Sequence, residues 1–284
     1  MELNQSLYNA RMRTNRIGLA LSMAAMVLGL AVLLWILAVL FGNGLAAIDL
    51  GIFTHDTPAP GSEGGGLRNA IVGSLMMVGL SVLVSTPIGI LAGVYLAEFG
   101  DTNKVAEVTR FVTDIMLSAP SIVLGLFVYA IAVATVQHFS GFAGSLALSL
   151  IAVPVIVRTT ENMLRLVPGS LREAAFALGA PRWKVSLLVT LRAAKAGVIT
   201  GVLLALARIS GETAPLLFTA LSNQFFSTDM SQPLANLPVV IFQFAMSPYD
   251  NWNRLAWGGA LLITLTVLVI NIIARVVFRE KVKS

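Results

Sequence analysis

Asn69 to Ala97 reads NAIVGSLMMVGLSVLVSTPIGILAGVYLA, without one charged side chain. A helix rises 1.5 Å per residue, so about 20 apolar residues cross the roughly 30 Å hydrocarbon core of a bilayer. This stretch is long enough, and the sequence around it repeats the pattern. Ile17 to Phe41 is a second apolar run. Ile115 to Val157 is uncharged and too long for one crossing, and the polar segment Gln137-His138-Phe139-Ser140-Gly141 divides it. Two further runs end the chain. The reading is an all-α integral membrane protein with six spans at about 17–41, 69–97, 111–136, 142–157, 195–220 and 255–274. The organisation is then a tail (1–16), the first span, an extracytoplasmic loop (42–68), a core (69–278) and a second tail (279–284). A five-span alternative merges the third and fourth spans into a re-entrant pair. Such a pair must satisfy its backbone inside protein, so two full crossings are the simpler expectation.

Composition excludes most other classes. Charged residues make up 12% of the chain, about half the share in soluble domains, and mean hydropathy is +0.85. There is no cysteine, hence no disulfide and no thiolate site. His55 and His138 fall in different loops, and no metal or cofactor site is expected. The basic residues before Ile17 resemble a signal-peptide start, but the apolar run that follows is too long for one. Gly61-Ser62-Glu63-Gly64-Gly65-Gly66 lacks the Lys-Ser or Lys-Thr of a phosphate-binding loop and reads as an outer turn. No ATP site is visible, and no enzyme activity is expected of this chain.

Orientation follows from charge. Of the 19 Lys and Arg residues, 16 lie in the two tails and in the loops around 98–110 and 158–195. Arg68 and Arg254 lie on the opposite side, and Arg208 falls within the fifth span. The positive-inside rule places both termini in the cytoplasm. The net charge of +5 is therefore a matter of topology and anionic lipid, not of nucleic acid.

The 158–195 loop contains Pro168-Gly169-Ser170-Leu171-Arg172-Glu173-Ala174-Ala175-Phe176-Ala177-Leu178-Gly179-Ala180-Pro181. Ser170 and Glu173 have capping-box spacing. Gly179 suits a left-handed stop, and Pro181 follows it. A short helix over 171–178 is predicted, with Leu171, Ala174, Ala175 and Leu178 on one face. Such a helix is marginal alone. It either packs on the ends of its own spans or docks on another protein.

In the fifth span, Ala207-Arg208-Ile209-Ser210-Gly211-Glu212-Thr213-Ala214-Pro215 places two charges four residues apart. On a continuous helix they share a face and pair. Intramembrane charges mark a polar pathway or partner contact unless the pair is structural. Asp114, near the start of the third span, reads as structural, and Glu98, Asp101, Glu107 and Arg110 as an ordinary cytoplasmic loop. The 234–246 segment is too short to cross and suits an interfacial or re-entrant helix, with Tyr249, Trp252 and Trp257 as outer interface anchors.

Glu173-Ala174-Ala175, with Gly179 four residues after Ala175, resembles the EAA motif of ABC importer permeases. Val189 and Leu191 answer to the Ile and Leu that follow in the family, whereas Arg192 stands where Pro is usual. Arg208-Ile209-Ser210-Gly211-Glu212-Thr213-Ala214-Pro215-Leu216-Leu217, Leu237 to Pro248 and Leu255 to Leu262 resemble the phosphate-permease (PstA) branch more closely. The resemblance implies the type I importer permease fold, in an inner membrane, with a cytoplasmic coupling helix between spans 4 and 5. It implies a homologous permease (PstC-like), two copies of a cytoplasmic ATPase (PstB-like), an extracytoplasmic phosphate-binding protein (PstS-like) and inorganic phosphate as substrate. It gives Glu173, Ala174, Ala175 and Gly179 the role of ATPase docking, and Arg208, Glu212 and Thr213 that of the translocation path. Permeases for sulfate, molybdate or a polar organic solute, the sister phosphate subunit, an ATPase-independent channel and a static scaffold are the alternatives.

Overall fold

The uncharged stretch at Asn69 folds as one helix. In the computed structural model, which describes residues 5–100 and 103–277, α1 is Gln5–Ala47, α2 the short Gly51–Thr54, and α3 Arg68–Phe99. Then follow α4 (Lys104–Ser118), α5 (Ser121–Val128, continued by a π turn over Tyr129–Val133), α6 (Gly141–Arg165) and α7 (Gly169–Ala177). A composite segment comes next, with α8 (Arg182–Lys184), a π turn (Val185–Thr190) and α9 (Leu191–Ala193). The chain continues as α10 (Lys195–Ile209), α11 (Ala214–Thr219), α12 (Leu237–Ala245) and α13 (Asp250–Val277). The predicted tail 279–284 with Arg279, Lys281 and Lys283, residues 1–4, and Asp101 lie outside the described residues.

Among the described residues four helices are long and apolar enough to cross a bilayer: α1, α3, α6 and α13. The central one is α6, with 72% of its most apolar window buried, against 22% for α3 and α13 and none for α1. α3 and α6 pack through small residues. A Cβ on Gly89 would fall 2.6 Å from that of Ile156, and one on Gly93 2.6 Å from that of Thr160. Ser149 Oγ meets Ser81 Oγ at 3.2 Å. Small side chains let membrane helices approach this closely. The central core adds Met77, Leu148, Ile151, Ile209, Leu216 and Val239.

Two further helix pairs are together long and apolar enough, each bent at a break, so the described residues give four crossings, or up to six if each pair is one span. α4 and the α5 segment meet at 108°. The expected straight span over 111–136 is corrected here, and the cause is Pro120. It has no N–H, and Ala119 before it is extended at φ −66°, ψ 137°. The broken segment still runs from end to end. Arg110 of α4 bonds to Leu96 O at one end of α3, while Ser140, after α5, bonds through its N–H to Thr219 O. The 137–141 turn thus lies at the end of the bundle opposite Leu96. Likewise α10 starts beside Leu164 and Val167, and α11 closes at Thr219 on the opposite end.

Two groups of loops gather at opposite ends of the molecule. Asn251 Nδ2 bonds to Ser62 O and Gly64 O, Asn69 Nδ2 to Asn223 O, and Gly141 N–H to Gln232 O, gathering the 62, 140, 223 and 251 loops. Glu98, Arg110, Glu161 and Arg172 gather at the other end. The helix α1 begins at Gln5, so Arg11, Arg13 and Arg16 are helical rather than in a loose tail. α6 runs past the expected end at 157 to Arg165, because Glu161 pairs with Arg110 and Arg165 and the charges are accommodated within helix. α12 is capped by Asn236 and half-buried against α3 and α13. Its Phe244 stacks on Trp252 at 4.3 Å, so Trp252 belongs to the outer core, while Tyr249 and Trp257 are exposed.

Candidate functional site

Arg208 is the penultimate residue of α10. The helix stops at Ile209, whose side chain is buried in the central core with Leu148 and Ile151. Arg208 is thus level with that core rather than with the Val94–Leu164 cluster near the arginine-rich end. The stop is built from Ser210, whose N–H and Oγ both bond to Leu206 O, at 3.1 and 2.7 Å. Longer bonds spanning three residues follow, from Gly211 N–H to Arg208 O at 3.4 Å and from Glu212 N–H to Ile209 O at 3.3 Å. Thr213 starts α11 with its carbonyl accepting from Leu216 and Leu217, and Pro215 takes the first turn, where a missing N–H is harmless. α11 is held on α5 by a close backbone contact, since a Cβ on Gly125 would come 2.6 Å from Pro215 Cα.

The expected shared helix face is corrected by this break. Glu212 lies past the end of α10 and reaches back to Arg208 across the turn. Arg208 Nε and Glu212 Oε1 are 3.9 Å apart, with side chains 47% and 16% exposed. Several other ion pairs among the described residues are closer, whereas those of Arg158, 3.8 Å from Asp114 and 4.0 Å from Glu161, are as open. Arg68–Asp56 is 2.9 Å, Arg110–Glu161 2.8 Å and Arg172–Glu98 3.0 Å, each hydrogen-bonded. Among the described residues Arg208 has no hydrogen-bond partner for its five donors. It stands on an open face with Leu204 and Gly211.

The second candidate region is α7. Its nine residues include none that is buried. The expected start is corrected: Ser170 is not a cap, because the helix begins at Gly169 behind Pro168, which places Ser170 inside the first turn. The expected stop stands. Gly179 has φ +78°, its N–H bonds to Phe176 O, and Ala180 N–H bonds to Ala175 O. This is the Schellman arrangement. Glu173 and Ala174 are exposed, Ala175 is partly so, and Leu178 is 88% exposed. Arg192 is exposed within α9, and the bend of 73° into α10 falls after it, at Ala194. The structure keeps the two regions apart, with α7 among the arginine-rich end and Arg208 at core depth.

The sequence reading missed two partly buried ion pairs at this end of the molecule. Arg110 pairs with Glu161 and Arg172 of α7 with Glu98; Glu98 and Arg110 were read as ordinary loop, and Glu161 was singled out by no motif. The available signal was the spacing of Arg158, Glu161 and Arg165 along one helix face.

The sequence profile described as "Binding-protein-dependent transport system inner membrane component" matches residues 85–280. Proteins called phosphate transport system permease protein PstA match nearly end to end. That of Yersinia pestis is 59% identical over 95% of this chain and 92% of its own length. That of Haemophilus influenzae is 56% identical over 99% and 100%, and a Mycobacterium tuberculosis PstA 1 is 35% identical over 93% and 88%. The chain belongs to the PstA family of binding-protein-dependent transport permeases. The permease shares its fold with solved ABC importers. An inward-facing MetNI methionine transporter chain aligns with TM-score 0.62 at 21% identity, covering 74% of this chain and 93% of its own. A bacterial alginate transporter chain aligns with TM-score 0.63 at 14% identity, covering 97% and 98%. At those identities the likeness establishes the fold alone. The permease is accordingly an all-helical, multi-pass inner-membrane protein of ABC importer architecture.

Proposed function

We propose that this permease is a membrane subunit of an ATP-driven phosphate importer, with both termini cytoplasmic. It lines the path together with a homologous permease, receives phosphate from an extracytoplasmic binding protein, and docks α7 on one of two cytoplasmic ATPase copies through Glu173, Ala174, Ala175 and Gly179. The observation that carries the reading is the Arg208 guanidinium, held at a helix break and free of hydrogen bonds. The Arg110 and Arg172 pairs, by contrast, are closed by hydrogen bonds at the ends of the spans. Arg offers a rigid fork of donors suited to phosphate oxygens. Glu212, 3.9 Å away, holds the cation when the path is empty and gives way to the anion when it is full. Thr213, beside it, adds a hydroxyl to the same turn. Nearly full-length similarity to PstA proteins favours phosphate over other anions.

Import of an anion against an inside-negative potential costs roughly 2.3 kcal/mol per charge per 100 mV, so an energy source is required. The exposed α7 is the feature of this chain suited to receiving one. The test is labelled-phosphate uptake by vesicles containing either this chain alone or the full set of permeases, ATPase and binding protein. Uptake is expected only from the full set with ATP. Uptake by the chain alone would replace the importer with a channel, and uptake of sulfate or molybdate in place of phosphate would reassign the substrate.

A further inference from the structure

α7 contributes no buried residue, yet it is fastened. Among the described residues, every side-chain hydrogen bond from α7 to the spans is made by Arg172. Its Nε and Nη2 bond to Glu98 Oε1 at 3.2 and 3.0 Å. Its Nη1 bonds to Val167 O at 2.7 Å and its Nη2 to Leu164 O at 2.8 Å. Four bonds from one planar group therefore join α7 to the last turn of α3, to the Leu164 carbonyl in the last turn of α6, where a cation is favoured by the helix dipole, and to the Val167 carbonyl just beyond it.

Arg110 of α4 makes the mirror arrangement. Its Nη2 and Nη1 bond to Leu96 O and Gly100 O at the end of α3, while its Nε bonds to Glu161 of α6 at 2.8 Å. Each arginine thus caps one helix and pairs with a carboxylate of the other. Glu98 and Glu161 are nearly sealed from solvent, at 9% and 3% side-chain exposure. The ends of α3 and α6 are clasped together, and α7, which also packs on the Val185–Thr190 turn, is tied to the clasp by one guanidinium.

We propose that Arg172, seated on Glu98 and the end of α6, is the positioning residue that carries displacement of the docking helix into the spans. The proposal rests on the functional reading above and adds the residue through which force passes. Without this link α7 would still meet the ATPase, but its movement would be absorbed in the loops on either side of it.

The experiment compares wild type, Arg172→Gln, Arg172→Lys and Glu98→Gln in the complete reconstituted transporter, measuring co-purified ATPase, ATP hydrolysis and phosphate uptake in the same vesicles. Arg172→Gln and Glu98→Gln are expected to keep ATPase attachment and hydrolysis. Uptake per ATP should fall at least about tenfold, the rate factor for one lost charge-assisted hydrogen bond. Arg172→Lys keeps the charge without the fork and should fall between. A purely structural role would reduce the amount of assembled transporter and leave uptake per ATP unchanged in what remains, which overturns the proposal. Where variants fail to assemble, the distance between spin labels at Leu166→Cys and Ala177→Cys decides, in a chain otherwise free of cysteine. It should stay constant between nucleotide-free and ATP-trapped states, and a change of one helical turn, about 5 Å, or more overturns the link. Absence of ATP-driven uptake by the wild-type transporter would remove the functional reading and this proposal together, whereas unchanged uptake per ATP in the variants would remove this proposal alone.

Discussion

Gly179 isolates the contribution of the docking helix, because substitution there meets no obstacle. No heavy atom outside its neighbours lies within 4 Å of the place a Cβ would take. The cost of a side chain is conformational, set by φ +78°. For an ordinary L residue the left-handed conformation costs about 1–2 kcal/mol. It costs more for a β-branched residue and little for Asn, which visits this region readily. A penalty of 1–2 kcal/mol lowers the population of the closed helix end by about 5- to 30-fold. A nine-residue helix without buried side chains has little reserve to absorb that. Attachment of the ATPase to the detergent-solubilised permease, titrated at fixed permease concentration, should therefore weaken in the order Gly, Asn, Ala, Val, with Gly179→Asn close to wild type. Phosphate uptake should follow the same order. Gly179→Asn as damaging as Gly179→Val would show that the space beside Gly179, not its φ, is what matters. Wild-type attachment by Gly179→Val would refute the docking role.

Single cysteines at Ser62, Ser140 and Asn223 should react with an impermeant reagent in intact cells, and one at Ala180 only after permeabilisation; outside labelling at 180 would reverse the topology. Glu161→Ala leaves Arg110 and Arg165 without their carboxylate and should lower stability by about 1–3 kcal/mol, read as a loss in thermal unfolding in detergent that is smaller for Glu161→Gln. Gly125→Leu would press on Pro215 Cα, so it should abolish uptake while ATPase attachment, at the other end of the molecule, is retained. Asn69→Ala removes a buried side chain that accepts from Thr57 N–H and donates to Asn223 O, and should cost about 1–3 kcal/mol, with the outer loops becoming sensitive to protease.

Much of this architecture was legible because bilayer thickness imposes long uncharged runs, and α1, α3 and α13 contain theirs. The breaks were not legible to the same degree. Pro120 turns a 43-residue uncharged stretch's first half by 108°, and periodicity alone carries no information about such a bend. Ser210 and Gly211 end α10 before Glu212, although i,i+4 spacing suggested one continuous face. The motif around Glu173 located α7, and Gly179 located its stop, since left-handed backbone has a recognisable residue preference. Ser170 was misread as a cap because Pro168 already sets the first turn. The Glu98–Arg172 and Arg110–Glu161 pairs escaped notice because their partners are 74 and 51 residues apart, a separation that no local pattern encodes.

The account turns on Arg208 meeting the transported anion rather than merely balancing Glu212. Arg208→Ala with Glu212→Ala in one chain removes both charges and leaves nothing unpaired. Labelled-phosphate uptake by the complete transporter containing this double variant, with ATPase rate and subunit ratio taken from the same vesicles, is the direct measurement. The prediction is a normally assembled transporter in which uptake stays as low as with Arg208→Ala alone. Recovery of near-wild-type uptake by the double variant would contradict it and make the pair a structural one.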